Sequence, residues 1–248
     1  MTGDAGPAPS ILIATPVKDA AAFLPRYFDL LARIEHDPAR LSLAFLESDS
    51  ADGTFEAIAG RLDTLRARYR TVSLLRHDFG FRPRVARWRP EIQRRRRSVL
   101  ARARNRLVAG ALRDEDWVLW LDVDLIDYPP DLPARLLAAG KDVVVPHCVR
   151  PDGTTFDLNS FRIDPPGGRE DRRHLRDGIL QPPAGVGRRY LDAFDGDEPV
   201  ALDAVGGTAL LVRADLHREG LCFPPFALDG YIETEGMARM ARAMGVQP

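Results

Sequence analysis

Three largely apolar runs that each end on polar or acidic residues constrain this chain most. Ile11–Thr15 is stopped by Pro16, Leu41–Leu46 by Glu47-Ser48-Asp49, and Trp117–Leu121 by Asp122-Val123-Asp124. Short, nearly continuous apolar runs read as strands buried on both faces of a parallel sheet. Helical spacing fills the gaps: Ala20–Ile34 places Phe23, Tyr27, Leu30, Leu31 and Ile34 on one side. Helices are also expected over Phe55–Tyr69 and Glu91–Leu112, with a third-strand run at Val72–Arg76. Alternation of this kind predicts an α/β fold with a mostly parallel central sheet flanked by helices. Ligands of such sheets bind beyond the carboxyl ends of the strands. The loops opening at Thr15, Glu47 and Asp122 are therefore expected to converge on one crevice.

The pattern continues with a helix at Leu132–Ala139, strands at Asp142–Pro146 and Ala204–Val212, and a last helix at Glu233–Met244. Residues 1–10 read as a loose tail and 11–248 as one domain. From 150 to 203 Pro, Gly, Arg and Asp dominate, apart from a strand-like Thr154–Ile163. That length suits a functional flap better than an ordinary connection.

Composition excludes several classes. With 45% hydrophobic and 29% charged residues in 248, the chain is neither disordered nor collagenous. No apolar run reaches the length of a transmembrane helix, and Met1–Ser10 lacks the features of a secretory signal. Cys148 and Cys222 cannot build a disulfide framework, so a cytoplasmic location is expected. The net charge of −1 hides an uneven distribution. Residues 61–106 hold sixteen arginines against Asp63, Asp78 and Glu91. Such a block suggests an anionic partner. Only Trp88 supplies an aromatic group nearby, so nucleic acid is the weaker reading.

Asp122 and Asp124 close a strand, where a turning chain lets both carboxylates reach a hard divalent ion, Mn²⁺ or Mg²⁺, alongside substrate phosphates. The competing reading is a solvated strand end. Glu47 and Asp49 also close a strand and suit hydrogen bonds to a base or ribose, while Asp52 or Thr54 caps the following helix. Arg97, Ala101, Arg104 and Asn105 share a side of the arginine-rich helix, with Arg94–Arg96 expected to fan outward. Guanidinium forks match phosphate oxygens. Glu233 and Glu235 open the last helix, as dipole partners or as carboxylates at a reacting centre. Gly206-Gly207 permits close approach of a ligand or merely begins a strand.

Seven motifs occur in an order that resembles the ANP-type mannosyltransferases of the fungal Golgi mannan polymerase. They are Thr15-Pro16-Val17-Lys18, Glu47-Ser48-Asp49-Ser50, the Arg97…Arg104-Asn105 helix, Leu121-Asp122-Val123-Asp124, Phe156-Asp157-Leu158-Asn159-Ser160, Val205-Gly206-Gly207-Thr208 and Ile232-Glu233-Thr234-Glu235-Gly236. The resemblance spans about Ile11 to Gly245. It implies a GT-A (Rossmann-like) glycosyltransferase fold, a GDP-mannose donor, a Mn²⁺-type ion at Asp122 and Asp124, and retention at the anomeric carbon. It divides the domain into a nucleotide-binding half, 11–125, and a sugar and acceptor half, 126–248. By the same match Thr15, Pro16, Glu47 and Asp49 line the nucleoside site, and Arg97, Arg104 and Asn105 lie near the donor. Gly206, Gly207 and Thr208 shape the sugar pocket beside Glu233 and Glu235, with Asp157 and Asn159 as further substrate contacts.

The fungal proteins begin with a membrane anchor, and their pattern continues into a segment whose histidine completes the metal site. Neither feature appears between Met1 and Pro248, so a soluble relative is expected and no residue here inherits the histidine's role. The sequence reading is a metal-dependent hexosyltransferase acting on an acceptor hydroxyl of a glycan, lipid or small molecule. Its alternatives are an inverting enzyme with Glu233, Glu235 or Asp229 as base, and a catalytically impaired nucleotide-sugar-binding or scaffold protein. Peripheral contact with a membrane and the oligomeric state stay open.

Overall fold

The computed structural model describes residues 8–194, 196 and 198–248. Met1–Pro7 of the expected tail, and Asp195 and Asp197 of the long loop, lie outside the described residues. The first half alternates as the sequence predicts: β1 (Ile11–Val17), α1 (Leu24–Ala32), β2 (Leu41–Glu47), α2 (Thr54–Ala59), α3 (Leu62–Arg68), β3 (Thr71–Arg76), α4 (Gln93–Ala111) and β4 (Trp117–Leu121). Then follow α5 (Leu132–Ala138), β5 (Val143–Val144), β6 (Phe161–Ile163), β7 (Leu175–Arg176), β8 (Ile179–Leu180), β9 (Arg188–Tyr190), β10 (Ala209–Arg213), α6 (Ala214–Arg218) and α7 (Glu233–Ala243).

Six strands form the central sheet in the order β3-β2-β1-β4-β10-β5. β1 lies parallel to both neighbours, with Ile11 opposite Leu41 on one side and Trp117 on the other. Only β10 runs against the rest, antiparallel to β4 and to β5. Alternate residues of β1 feed two cores, because successive side chains leave a strand on opposite faces. Ile11 and Ile13 pack with Tyr27 and Leu31 of α1 and Leu136 of α5. Leu12 and Ala14 pack with Ala101 and Leu107 of α4 and Met237 and Ala241 of α7. Both faces are thus covered, which explains the unbroken apolar runs.

Small residues let α4 lie close against the sheet. Ala101 and Ala103 are buried, and a Cβ at Gly110 would stand 2.8 Å from Leu75 Cδ1. The same helix therefore carries its arginines to the sheet's carboxyl edge.

Several sequence expectations need correction. The Phe55–Tyr69 helix is two helices, the first closing at Gly60. α4 starts at Gln93, after a tight turn at Pro90–Ile92 where proline sets the entry. The strand-like Thr154–Ile163 reduces to β6, paired with β9. The Ala204–Val212 strand forms only from Ala209, since Gly206 and Gly207 serve the site instead. Ser10, placed in the loose tail, is buried, and its N–H and hydroxyl donate to Asp116 Oδ2 at 2.6 and 2.8 Å. Among the described residues, no helix is long and apolar enough to cross a membrane.

Candidate active site

The loops at the carboxyl edge of β4 and the amino end of β10 are laced together. Asp122 N–H donates to Thr208 O at 2.9 Å, and Thr208 N–H donates to Asp157 Oδ2 at 3.3 Å. Into this edge α4 brings Arg96, Arg97 and Arg104, and α7 brings its first residue, Glu233. Together they bound a cavity of about 190 Å³, with Asn159, Gly207, Gln93, Leu100 and Gln181 completing its wall.

Arg104 is the hub. Its Nε donates to Glu233 Oε1 at 2.9 Å and its Nη2 to Gly207 O at 3.3 Å, while Nη2 lies 3.6 Å from Asp122 Oδ1. The guanidinium also covers the rings of Trp120 and Phe223, at 5.1 and 5.5 Å from their centroids. Such stacking suits the weakly hydrated, planar cation. Arg104 Nη1 is buried without an acceptor among the described residues, as is the donor Gln181 Nε2. Buried donors left unanswered are rare, and in a cavity wall they fit an anionic or polar ligand.

A second ion network sits behind the first. Glu235 lies between Arg97 Nη2 at 3.1 Å and Arg188 Nη1 at 3.7 Å. Arg188 Nε donates to Glu170 Oε1 at 2.6 Å, and the Tyr231 hydroxyl donates to Glu170 Oε2 at 2.6 Å. Glu235 does not line the cavity, whereas Glu233 does. Glu233 takes φ of +59°, a conformation that L side chains rarely adopt.

Asp122 stands apart electrostatically. Burial pushes its carboxyl up to about 7, Arg104 opposes the shift, and Asp124, Asp157 and Glu233 add to it. Protein crowds this carboxylate on most sides even though 36% of its side-chain surface stays open. Burial leaves the charged form of this carboxylate poorly solvated with three acids nearby, and a cation would relieve both. Asp124 lies 3.4 Å from Arg87. Among the described residues, no cluster of three or more His, Cys, Asp or Glu is arranged to hold a metal. Two carboxylates fit a hard ion that takes its remaining ligands from donor phosphates and water.

The two glycines are explained by neighbouring side chains. A Cβ at Gly206 would lie 1.8 Å from Asp157 Oδ2, and one at Gly207 would lie 2.4 Å from Arg104 Nη2. Close approach of backbone to these two groups demands glycine, independent of any ligand. Asp157 Oδ1 accepts from the Asn159 N–H at 3.0 Å, so the Asp157–Asn159 pair is locally preorganised.

Other sequence candidates lie elsewhere. Thr15 is buried inside the core, its hydroxyl 2.6 Å from Tyr27 Oη, and Pro16 follows it within β1. Asn105 uses both ends of its amide on Phe223, donating to its carbonyl at 2.7 Å and accepting from its N–H at 2.8 Å. Glu47 accepts from Ser50 N–H at 2.9 Å and pairs with Arg76 Nε at 3.2 Å. Asp49 is buried and accepts from the backbone N–H groups of Phe79, Gly80 and Phe81. Burial opposes its charge, but those three donors prevail and hold its carboxyl below the usual carboxylate range.

Arg96 lines the cavity rather than fanning outward. Burial pulls its guanidinium below the usual arginine range, with Glu233 opposing. The signal was present: Gln93, Arg97, Leu100 and Arg104 follow helical spacing on one face, and Arg96 borders it. Nothing in the sequence marks Gln181, Glu170 or Arg188, which the irregular segment delivers.

The sequence profile of the Anp1 family matches residues 3–227. The chain belongs to the Anp1 family. Among its Anp1 relatives, the mannan polymerase II complex anp1 subunit of Schizosaccharomyces pombe is 31% identical over 98% of this chain and 62% of its own length. The mannan polymerase complex subunit mnn9 of the same organism is 32% identical over 95% of this chain and 75% of its own length. The chain therefore spans about three fifths of the first of these relatives and three quarters of the second. Its fold is the GT-A fold. The solved mannosyltransferase PcManGT of Pyrobaculum calidifontis, in complex with GDP-Man and Mn²⁺, superposes with a TM-score of 0.51 at 14% identity. That superposition covers 97% of this chain and 56% of PcManGT.

Proposed function

We propose that this Anp1-family chain is a metal-dependent glycosyltransferase that moves mannose from GDP-mannose to an acceptor hydroxyl, with retention. One observation carries the reading most: a cavity wall in which an unanswered guanidinium N–H of Arg104 stands beside the poorly solvated, acid-flanked Asp122. Such a wall offers a diphosphate both donors and a place for its counter-ion. Family membership and the Mn²⁺ and GDP-Man of PcManGT support the same choice.

Asp122 and Asp124 would hold Mn²⁺ or Mg²⁺, which neutralises a leaving diphosphate. Arg104 and Arg96 would donate hydrogen bonds to the phosphate oxygens as negative charge grows there. Glu233 fixes the plane of the Arg104 guanidinium through its 2.9 Å contact. Asp157 and Asn159 would orient the sugar, held by Thr208 N–H and their own mutual bonds. Glu235 acts as a positioning residue, anchoring Arg97 behind the wall. The acceptor hydroxyl would lose its proton to a leaving phosphate oxygen on the same face.

The test is a thermal-stability screen against nucleotide sugars with and without Mn²⁺, followed by transfer assays. GDP-mannose with Mn²⁺ should stabilise the protein most, by about 2.7 kcal/mol at a hundredfold excess over Kd. Asp122→Ala combined with Asp124→Ala should abolish metal-dependent transfer; full retained activity would overturn the reading. An inverted product anomer would reject retention alone. The absence of a three-ligand metal cluster among the described residues favours one second reading, a nucleotide-sugar-binding protein without turnover. Donor stabilisation with no transfer to any acceptor or water would select it.

A further inference from the structure

Phe79 and Phe81 root the segment between β3 and α4 in the core, while residues 82–90 serve neither the core nor most of the cavity. The segment reads Phe79-Gly-Phe-Arg-Pro-Arg-Val-Ala-Arg-Trp-Arg-Pro90. Trp88 is 76% exposed and Val85 43%. Arg82, Arg84, Arg87, Arg89, Arg94 and Arg95 are all exposed around them, with Glu91 the one acid between residues 79 and 95; Arg87 reaches Asp124 at 3.4 Å and Arg94 reaches Asp177 at 3.0 Å. Arg84 has no ion-pair partner among the described residues. Arg82 and Arg89 make only long contacts, Arg82 at 3.8 Å to Asp49 and 3.7 Å to Asp78, Arg89 at 3.5 Å to Glu91.

The segment is also held in place. Gln93 Nε2 donates to the carbonyls of Arg87 and Arg89 at 2.7 and 3.0 Å, and Pro83 and Pro90 fix φ on either side of the indole. Gln93 lines the cavity and Arg87 reaches Asp124, so the segment stands at the crevice mouth.

We propose that this arginine-and-tryptophan segment docks the protein on an anionic phospholipid surface, with the crevice facing that surface. An indole beside an exposed valine, ringed by guanidinium groups, matches the headgroup boundary. There the ring settles at the interface and the cations meet lipid phosphates. Each such cation multiplies partitioning onto an anionic leaflet on the order of fivefold. Single-stranded nucleic acid would call for successive stacking platforms along a groove, and only one indole stands here. The proposal is independent of the transferase reading, because docking needs neither donor nor metal.

Sedimentation of the full chain with vesicles tests it. Phosphatidylcholine mixed with phosphatidylserine should bring the protein down, and phosphatidylcholine alone should not. Binding should weaken with added salt, and Trp88 emission should shift to the blue while Trp120 stays buried. Trp88→Ala with Arg84→Ala should lower partitioning more than roughly tenfold at an unchanged melting temperature. Trp88→Phe should keep sedimentation but lose the spectral shift. Failure of the unmodified chain to bind anionic vesicles overturns the proposal. So does undiminished binding by the double variant, or retention on DNA or polyglutamate in place of vesicles.

Discussion

Two populations of arginine share one short stretch of chain and live in different electrostatic worlds. Arg97 and Arg104 are buried, each held by a glutamate at the start of α7 more than a hundred residues away. Arg82, Arg84, Arg89 and Arg95 are exposed, with ion-pair partners at 3.5 Å or more or none among the described residues, and exposed Arg94 meets only the likewise exposed Asp177. The exposed group lies in the loop before α4 and on its outer face, the buried group on its inner face, and only tertiary structure supplies the acids that make the buried group affordable. A charge count over the segment therefore reports two unrelated properties at once, a rigid interior lattice and a solvated positive surface.

The largest effect should come from breaking the interior pair. Arg104→Ala strands Glu233 without its cation, and urea unfolding should show a loss of about 3–5 kcal/mol. Replacing Arg104 with Met and Glu233 with Leu together should recover much of that stability while leaving donor binding abolished. A double variant no more stable than Arg104→Ala would show that the pair itself is net stabilising. Next comes Gly206→Ala, whose Cβ would overlap Asp157. It should cost about 1–3 kcal/mol and weaken donor binding through the displaced carboxylate. Unchanged thermal stability with unchanged donor affinity would refute the close-approach account.

Asp49 belongs to neither population, since backbone N–H groups satisfy it more closely than Arg82 does. Its carboxyl is held below the usual range, so its stabilising contribution is present above about pH 4 and fades as pH falls through the lower folded value. Urea titrations over acid pH should show this limb lost in Asp49→Asn and retained in Arg82→Ala. The smallest effect should come from Arg66→Ala, which removes a 3.9 Å contact to a fully exposed Asp63. No measurable shift of the urea midpoint is expected, because solvent screens so exposed a pair.

Much of the frame is legible in the chain because burial on both faces leaves a one-dimensional mark. β1, β2 and β4 stand where Ile11, Leu41 and Trp117 begin their runs. Asp122, Asp157, Asn159, Arg104, Thr208 and Glu233 do meet at one cavity. What the chain hides is contact at long range. Asn105 looks like a donor-side residue on the helix, yet Phe223 occupies its amide. Thr15 closes an apolar run, yet Tyr27 covers it. Glu170 and Arg188 sit in a stretch with no periodicity, so no pattern announces that they buttress Glu235.

The reversed direction of β10 has one more consequence. β5 runs with β4, so it leaves the sheet on the crevice side, and antiparallel β10 enters the sheet from that same side. The whole excursion between Val144 and Ala209 therefore has its two feet planted together, like a handle on a lid. A handle can be lengthened, trimmed or exchanged without re-threading the strands that carry it. Asp157 and Gln181 ride on this handle, while Asp122 and Arg104 belong to the vessel. Grafting the excursion from another Anp1 chain onto this sheet is thus a way to change what the crevice accepts while Asp122 and Arg104 keep their places on the strands and helix beneath.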